Sequence, residues 1–444
     1  MIKTVLPLTL IICSALTTAA TDYCVVVSKA TYENAEWKAV AQALVNKHDG
    51  QLIQYESSPG EVLSRLSAQH PRYTCFVAPH QQATREFVAT VHQLTRQLDD
   101  DPYTDTFWGI LTGFDAANAL NIARYERPLT VRKVASGTEV ALDMCEQGLW
   151  YDELVKNKLV RKAKGGDVEQ FDGPDDTTNA LVRSLNDFQP DLFVTSGHAT
   201  ERNWQIGFRY RNGYFKSQSG QMFGEDTQGQ RIEIDSPNAK VYLPIGNCLM
   251  GNIDGSDAMA LAWMNDVGVK QMIGYTVPTW FGYGGWGVLD YFVEQPGRYS
   301  LTEAFFANHA ALIHSIETKS GNQRGMTFDR DVVAFYGDPG WEARMAPAER
   351  AYEQELSGDG KVFTFRVIPK RGTESFLPIN VNGAQRGWRP IVHWLPERIE
   401  DIKIISGDEF KPVITDDFLL VPNPRECDPS RSYEITFTAR VVTE

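Results

Sequence analysis

Two short apolar runs in the middle of the chain, each ending in a chemically competent side chain, constrain the fold most. The first reads PDLFVTSGHATERNW and delivers His198; the second reads KVYLPIGNCLMGNIDG and delivers Cys248. Both are rich in aliphatic and β-branched residues and close on Gly or Asn, the pattern of buried strands entering loops. In an open parallel sheet, the loops at the carboxyl ends of the strands form the binding crevice. Two neighbouring strands of this kind bring an imidazole to a thiol. A base beside a thiol is what makes it a useful nucleophile near neutral pH.

The surrounding pattern supplies such a sheet. YCVVV, QLIQY, TCFVAP and TFWGILTG are each followed by an amphipathic stretch. This alternation predicts an α/β fold, a parallel-dominated sheet with helices on both faces. Val140 to Lys156 reads as a helix and 161–173 as a surface loop. Residues 208–236, rich in Gly, Gln and Ser, read as an excursion near the His198 end. A helix capped by Asp254 or Ser256 is expected soon after Cys248, its positive end near the thiol. A further acidic helix is expected over Ala348 to Leu356. Beyond it, VFTFRVIP, RPIVHWLP, IEDIKIIS, FLLVP and YEITFTARVV alternate with turns, which predicts a small all-β sandwich. The expected division is 1–20 signal peptide, 21–135 N-terminal α/β subdomain, 136–347 catalytic α/β subdomain and 358–444 β-sandwich.

Composition narrows the partners. The 444 residues carry a formal charge of −14, with a pI near 5.1, which argues against nucleic acid or an anionic membrane as the main partner. MIKTVLPLTLIICSALTTAA has a basic start, an apolar centre and a small-residue end, so it reads as a secretory signal. A secreted, periplasmic or cell-surface protein is expected, with no permanent membrane span. Removing Cys13 with the signal leaves five of six cysteines. An odd number in an exported protein points to one free thiol, assigned to Cys248. Cys24 and Cys75 are buried thiols, or a bridge if their strands are adjacent. Asp99-Asp100-Asp101 reads as a solvated turn rather than a calcium site. Zinc-ligand spacing, a G-x-S-x-G elbow and a complete phosphate-binding loop are all missing.

Several blocks together resemble a known family. GHATERNW, NCLMGN, YTVPTWFGYGGW, AFYGDPGWEAR and, more weakly, VASGTEVALDM are similar to the blocks of the gingipain family of secreted cysteine peptidases, within the caspase-like clan. The resemblance implies a caspase-like α/β domain followed by an immunoglobulin-like domain, acting on a protein or peptide substrate. It implies Cys248 as nucleophile, His198 as general acid/base and Glu139 as the acid that orients it. The oxyanion donors would be the backbone N–H groups of Ala199 and Cys248. Trp280 matches an aromatic wall of the primary pocket, with Tyr283 and Trp286 as further lining. Asp143 is the nearest candidate for the pocket-base Asp of arginine-specific members. Ala199 stands where the family has Gly, which would cost roughly 1 kcal/mol if that backbone had positive φ. No cofactor is required; some members bind calcium, and no block here locates a site. Two other readings share the fold: a binding scaffold without turnover, and an acyl transferase of ligase or sorting type.

Overall fold

The computed structural model describes residues 22–381 and 385–442; the stretch read as a signal peptide lies outside them. One sheet of twelve strands organises the first three-quarters of the chain. In chain order these are β1 (Tyr23–Ser28), β2 (Gln51–Tyr55), β3 (Tyr73–Val77), β4 (Phe107–Leu111), β5 (Lys133–Ser136), β6 (Gln147–Tyr151), β7 (Lys158–Lys162), β8 (Val168–Asp172), β9 (Leu192–Thr195), β10 (Lys240–Pro244), β11 (Val269–Tyr275) and β12 (Val333–Gly337). Across the sheet they run β2-β1-β3-β4-β12-β11-β10-β9-β5-β6-β7-β8. The set β11-β10-β9-β5-β6 is parallel throughout. Strand β12 is antiparallel to β11, and β7–β8 is an antiparallel edge hairpin. Strands β1, β4, β9, β10 and β12 are buried at every position. That is why they are apolar runs rather than alternating patterns: helices cover both faces of the sheet.

The expected α/β class is therefore the observed one, with local differences. Val140 to Lys156 is not a helix: it holds one tight turn, Leu142–Met144, and strand β6. A β-carbon at Gly148 would lie 2.7 Å from the Val134 carbonyl, so β6 packs more closely than a side chain at that position permits. Residues 161–173 form most of the β7–β8 hairpin rather than a loop. The boundary placed between 135 and 136 falls inside β5. The excursion after His198 is a four-stranded antiparallel sheet, Asn203–Gln205, Tyr214–Gln218, Gln221–Glu225 and Arg231–Glu233.

The C-terminal part has two antiparallel sheets. One pairs Tyr352–Gly358, Val362–Pro369, Tyr433–Val441 and Ile399–Ser406; the other pairs Ile391–Trp394, Phe418–Val421 and Val413–Ile414. The acidic stretch expected to be helical supplies the first of these strands, so the β-domain begins before residue 358. Its alternating EQEL pattern suits a half-exposed edge strand. In the smaller sheet Ile391, Leu419 and Val421 join the core shared with the larger sheet, while Val392, Phe418 and Leu420 join the core of the α/β domain. This sheet is buried on both faces and ties the two domains together.

Within the α/β domain, the end of β12 is tied to the first strand and the helix after it, and there Gly337 takes φ +118°. The Asp338 carboxylate that follows accepts from Tyr23 Oη (2.6 Å) and the Gly340 N–H (2.9 Å). It also pairs with Lys47 Nζ (2.9 Å) and His48 Nε2 (2.8 Å). Burial alone would raise this carboxyl, but its hydrogen bonds to His48 and Tyr23 and the Lys47 charge hold it well below the usual range. A depressed carboxyl stabilises the fold above its unfolded pKa, and that contribution is lost as pH falls below about 4. Asp338→Asn should cost about 3–5 kcal/mol, read as a lower denaturant midpoint at pH 7. The difference from the parent should shrink below about pH 4. A variant as stable as the parent at pH 7 would contradict this.

Candidate active site

His198 and Cys248 follow the carboxyl ends of two adjacent parallel strands, β9 and β10, in register at Thr195 and Pro244. The loops that carry them are fastened on both sides of the reactive residues. Before them, the fully buried Asn247 amide donates to the Gly197 carbonyl (3.0 Å) and accepts from Thr195 Oγ1 (2.6 Å). Thr195 Oγ1 is in turn 2.8 Å from Tyr242 Oη, which stacks by its ring on Trp263. Beyond them, Asn252 Nδ2 donates to Glu201 (3.1 Å), Arg202 pairs with Asp254 (2.9 Å), and the Met259 N–H donates to the Glu201 carbonyl (2.7 Å). A buried amide with both groups satisfied fixes the relative position of the segments it joins. The loops that carry His198 and Cys248 therefore open at the same edge of the sheet, tied to each other on both sides of the two residues.

Cys248 is half-buried, and its Sγ lies 3.5 Å from the Thr279 carbonyl. Backbone packing beneath it leaves no room for side chains. A β-carbon at Gly246 would lie 2.9 Å from Ser196 Oγ and from Trp286 Nε1, and one at Gly251 would lie 2.2 Å from the Gly274 carbonyl. Leu249, just after the nucleophile candidate, takes φ +60° and closes a sharp turn. The helix expected to begin near Asp254 begins at Met259, behind an Ala258 cap without a side-chain bond. Asp254 is engaged by Arg202 instead, and the helix start is held by the Glu201 carbonyl. The positive helix end thus comes later in the chain than expected.

Ala199 does not have positive φ; that conformation falls on Gly197, at φ +93°. The anticipated steric cost of Ala is therefore absent. Ala199 faces Trp204 in a narrow antiparallel bridge flanked by Gln205 N–H to His198 O (2.9 Å) and Thr200 N–H to Asn203 O (2.8 Å). In that register the Ala199 N–H points away from its strand partner. Among the described residues, neither it nor the Cys248 N–H has an acceptor. Both N–H groups are thus open to an acceptor from outside the chain.

An acid buried against the histidine loop is Glu153, which the sequence reading did not single out. It follows β6, and the expectation of a helix over 140–156 concealed it. Its carboxylate is buried and accepts from Thr138 Oγ1 (2.8 Å) and Ser196 Oγ (3.1 Å). Its second oxygen, Oε2, is buried without a partner and would lie 3.4 Å from a β-carbon on Gly197. Burial pushes this carboxyl up to about 7, partly offset by the two hydroxyls. The Phe208 N–H donates to the Glu153 carbonyl (2.7 Å), and the Phe208 ring stacks on His198 at 4.9 Å. Glu139 also stands beyond a strand end, that of β5, but its carboxylate accepts from Asn380 of the β-domain (3.2 Å).

The pocket candidates separate. Trp280 is 52% exposed, one residue beyond the carbonyl that meets Cys248, with Arg324 5.7 Å from its ring. Trp286 is buried beneath Gly246, and Tyr283 is buried under the Arg389 guanidinium; they build the wall rather than line open space. Asp143 is exposed, and Lys162 donates to its backbone carbonyl (3.1 Å). Lys162 pairs with Gly148 near the start of β6, so Asp143 sits at the opposite end of the strands from Cys248. Three carboxylates, Asp99, Asp101 and Asp105, come within 4.8 Å of one another. They lie before β4, in the other half of the sheet, and Asp99 accepts from the Asp101 N–H and Asp101 from the Tyr103 N–H.

No family model matches the sequence, and no curated protein matches it. Solved structures do match in overall shape. The crystal structure of the Arg-specific cysteine proteinase gingipain R is 12% identical, with a TM-score of 0.49 and 96% of each chain covered. The complex of Porphyromonas gingivalis RgpB pro- and mature domains is 11% identical, with a TM-score of 0.47, 95% of this chain and 96% of that chain being covered.

The five described cysteines are all free. Cys24 and Cys75 lie on paired strands, but Cys24 faces Thr74 and Cys75 faces Val25, so the two side chains point to opposite faces of the sheet and no bridge forms. Burial pushes the Cys24 and Cys145 thiols up to about 12 and Cys75 well above its ordinary value. In a chain lacking residues 1–20, a chromogenic disulfide reagent should titrate one thiol rapidly, lost in Cys248→Ser. It should titrate all five of Cys24, Cys75, Cys145, Cys248 and Cys427 after denaturation without reductant. A total of three would reveal a bridge and contradict the strand register.

Proposed function

We propose that this chain is an exported cysteine-type endopeptidase. Cys248 attacks the scissile carbonyl, and its thiol proton passes to His198. The oxyanion is received by the N–H groups of Ala199 and Cys248. His198 then protonates the leaving amine, which departs and leaves a thioester on Cys248. Water, deprotonated by His198, hydrolyses the thioester and restores the thiol. Glu153 serves as the carboxylate behind the histidine loop, in place of Glu139. The observation that carries this reading is the Asn247 bridge between the residues preceding His198 and Cys248. The substrate is a peptide or protein lying across Cys248 beside Trp280. The exposed tryptophan and the distant Asp143 give no support to arginine preference. No cofactor is needed for these steps.

A peptidyl acyloxymethyl ketone should label the intact protein at Cys248. Labelling should vanish in Cys248→Ala and slow by about 10²- to 10⁴-fold in His198→Ala. A well-folded protein that takes no label and cleaves no peptide would support the scaffold reading. Products joined to an added amine would support the acyl transferase.

Glu153 gives a pH test with a defined sign. Its folded value near 7 lies above an ordinary glutamate, so stability is greater at low pH and falls as pH rises through about 7. Peptide cleavage should show an acid limb centred near pH 7, as the carboxyl ionises. Glu153→Gln should remove that limb and slow cleavage by about 10²-fold. At pH 8 the same variant should be more stable than the parent by on the order of 2–3 kcal/mol. A variant that is both less stable and fully active would overturn the assignment.

A further inference from the structure

The helix that supports the Cys248 loop has its charge balanced by the other domain. All ten residues of Tyr283–Phe292 are buried. Its first turn presses against the segment before Cys248: a β-carbon at Gly285 would lie 2.0 Å from the Ile245 carbonyl, and Trp286 fills the space beside Gly246. Yet the helix carries Asp290, with Glu294 just beyond, both buried. Among the described residues, the cations that meet these carboxylates are Arg386 and Arg389, both from the β-domain. Arg386 is 2.6 Å from Glu294 and 3.6 Å from Asp290, and its guanidinium lies 5.7 Å from the centre of the Trp286 ring. Arg389 is 3.5 Å from Asp290, bonds Asn308 at 3.0 Å and lies 3.7 Å from the centre of the Tyr283 ring. Asn308 in turn donates to the Tyr283 and Gly284 carbonyls (3.0 Å each).

The arginines sit on a constrained loop. Gln385 and Trp388 have φ +60° and +59°, left-handed values that non-glycine residues rarely take. The Gly387 N–H between them donates to Asp290 (2.8 Å), and Tyr291 Oη donates to the Pro390 carbonyl (2.7 Å). Such backbone strain persists where surrounding contacts over-determine it. Asn380, also of the β-domain, bonds Glu139, next to the Thr138 that holds Glu153. Asn380 and Arg386 of the β-domain thus meet the segments on which Glu139 and Trp286 lie.

We propose that Arg386 and Arg389 are positioning residues for the catalytic cysteine, so that peptide turnover requires the β-domain loop to be seated on the helix Tyr283–Phe292. This rests on the peptidase reading above. Two buried carboxylates without their arginines would repel each other and draw in water. The helix would move, and with it Trp286 and the Ile245–Gly246 backbone that sets the Cys248 geometry. Near-attack geometry is sensitive to ångström displacements.

The test uses the full chain with Arg386→Met combined with Glu294→Gln, which takes the guanidinium off the Trp286 ring without leaving a second carboxylate unpaired. The expected result is a parent-like melting temperature, a near-ultraviolet dichroism altered by the shift of Trp286, and kcat reduced by about tenfold or more with KM within about twofold. Alkylation of Cys248 by iodoacetamide, which needs no bound peptide, should keep its parent rate. Arg386→Lys keeps the charge but loses the planar fork, and should fall between the two. If the double variant does not fold, Arg386→Lys carries the same kcat comparison. A folded variant with parent kcat overturns the proposal and leaves the clamp a purely structural one. A parent protein inert to peptides and to the peptidyl ketone would overturn the peptidase reading instead.

Discussion

A single buried amide, Asn247, holds the chemistry of this molecule in place. Parallel strands β9 and β10 bring two loops to the same edge, but neighbouring loops need not share a conformation. The Asn247 side chain supplies what the strands do not, one hydrogen bond to each side of the histidine loop's root. Thr195, Tyr242 and Trp263 extend this bond into the core, so the rim is anchored to packed aromatic rings. The glycines at 197, 246 and 251 follow from the same demand, since each lies where a backbone or a large ring approaches too closely for a β-carbon.

The two domains depend on each other in ways that buried area alone does not convey. The smaller β-sheet turns alternate residues into two different cores, so Ile391 and Val392 stabilise opposite sides of a domain boundary. The loop leading into that sheet carries the two arginines that neutralise the helix behind Cys248. Buried charge pairs are weak evidence for stability, because desolvation offsets much of the attraction. Their better use is to specify one arrangement, and here that arrangement is the packing of the helix Tyr283–Phe292 against the segment before Cys248.

Much of this was legible in the sequence, for identifiable reasons. The fully buried strands are long apolar runs, so the α/β class and the positions of His198 and Cys248 at strand ends could be read directly. The odd cysteine count misled: it pointed to one free thiol, whereas all five described cysteines are free and burial, not pairing, sets four of them apart from Cys248. What escaped depended on partners distant in the chain. Strand β6 looks helical because Trp150 and Tyr151 fit either period, and only its pairing with β5 decides it. Glu153 was hidden by that choice. The early strand of the β-domain resembles an acidic helix until its antiparallel partner is known. Asn247 could be read as a local turn cap, since a bond to a residue fifty positions away leaves no local signature. Tyr283 and Trp286 looked like pocket lining because their glycine-rich setting suggested exposure, whereas the glycines serve close packing of the helix on the Cys248 loop.

The central claim is that Cys248, His198 and two open backbone donors face one substrate carbonyl. The most direct measurement is a crystal structure of the full chain after reaction with a peptidyl chloromethyl ketone. The account predicts a thioether at Cys248, the former carbonyl oxygen between the Ala199 and Cys248 N–H groups, and His198 alkylated or within hydrogen-bond reach of the adduct. A ketone attached elsewhere, or an adduct oxygen turned away from both donors with His198 on the far side of the sheet, would contradict it.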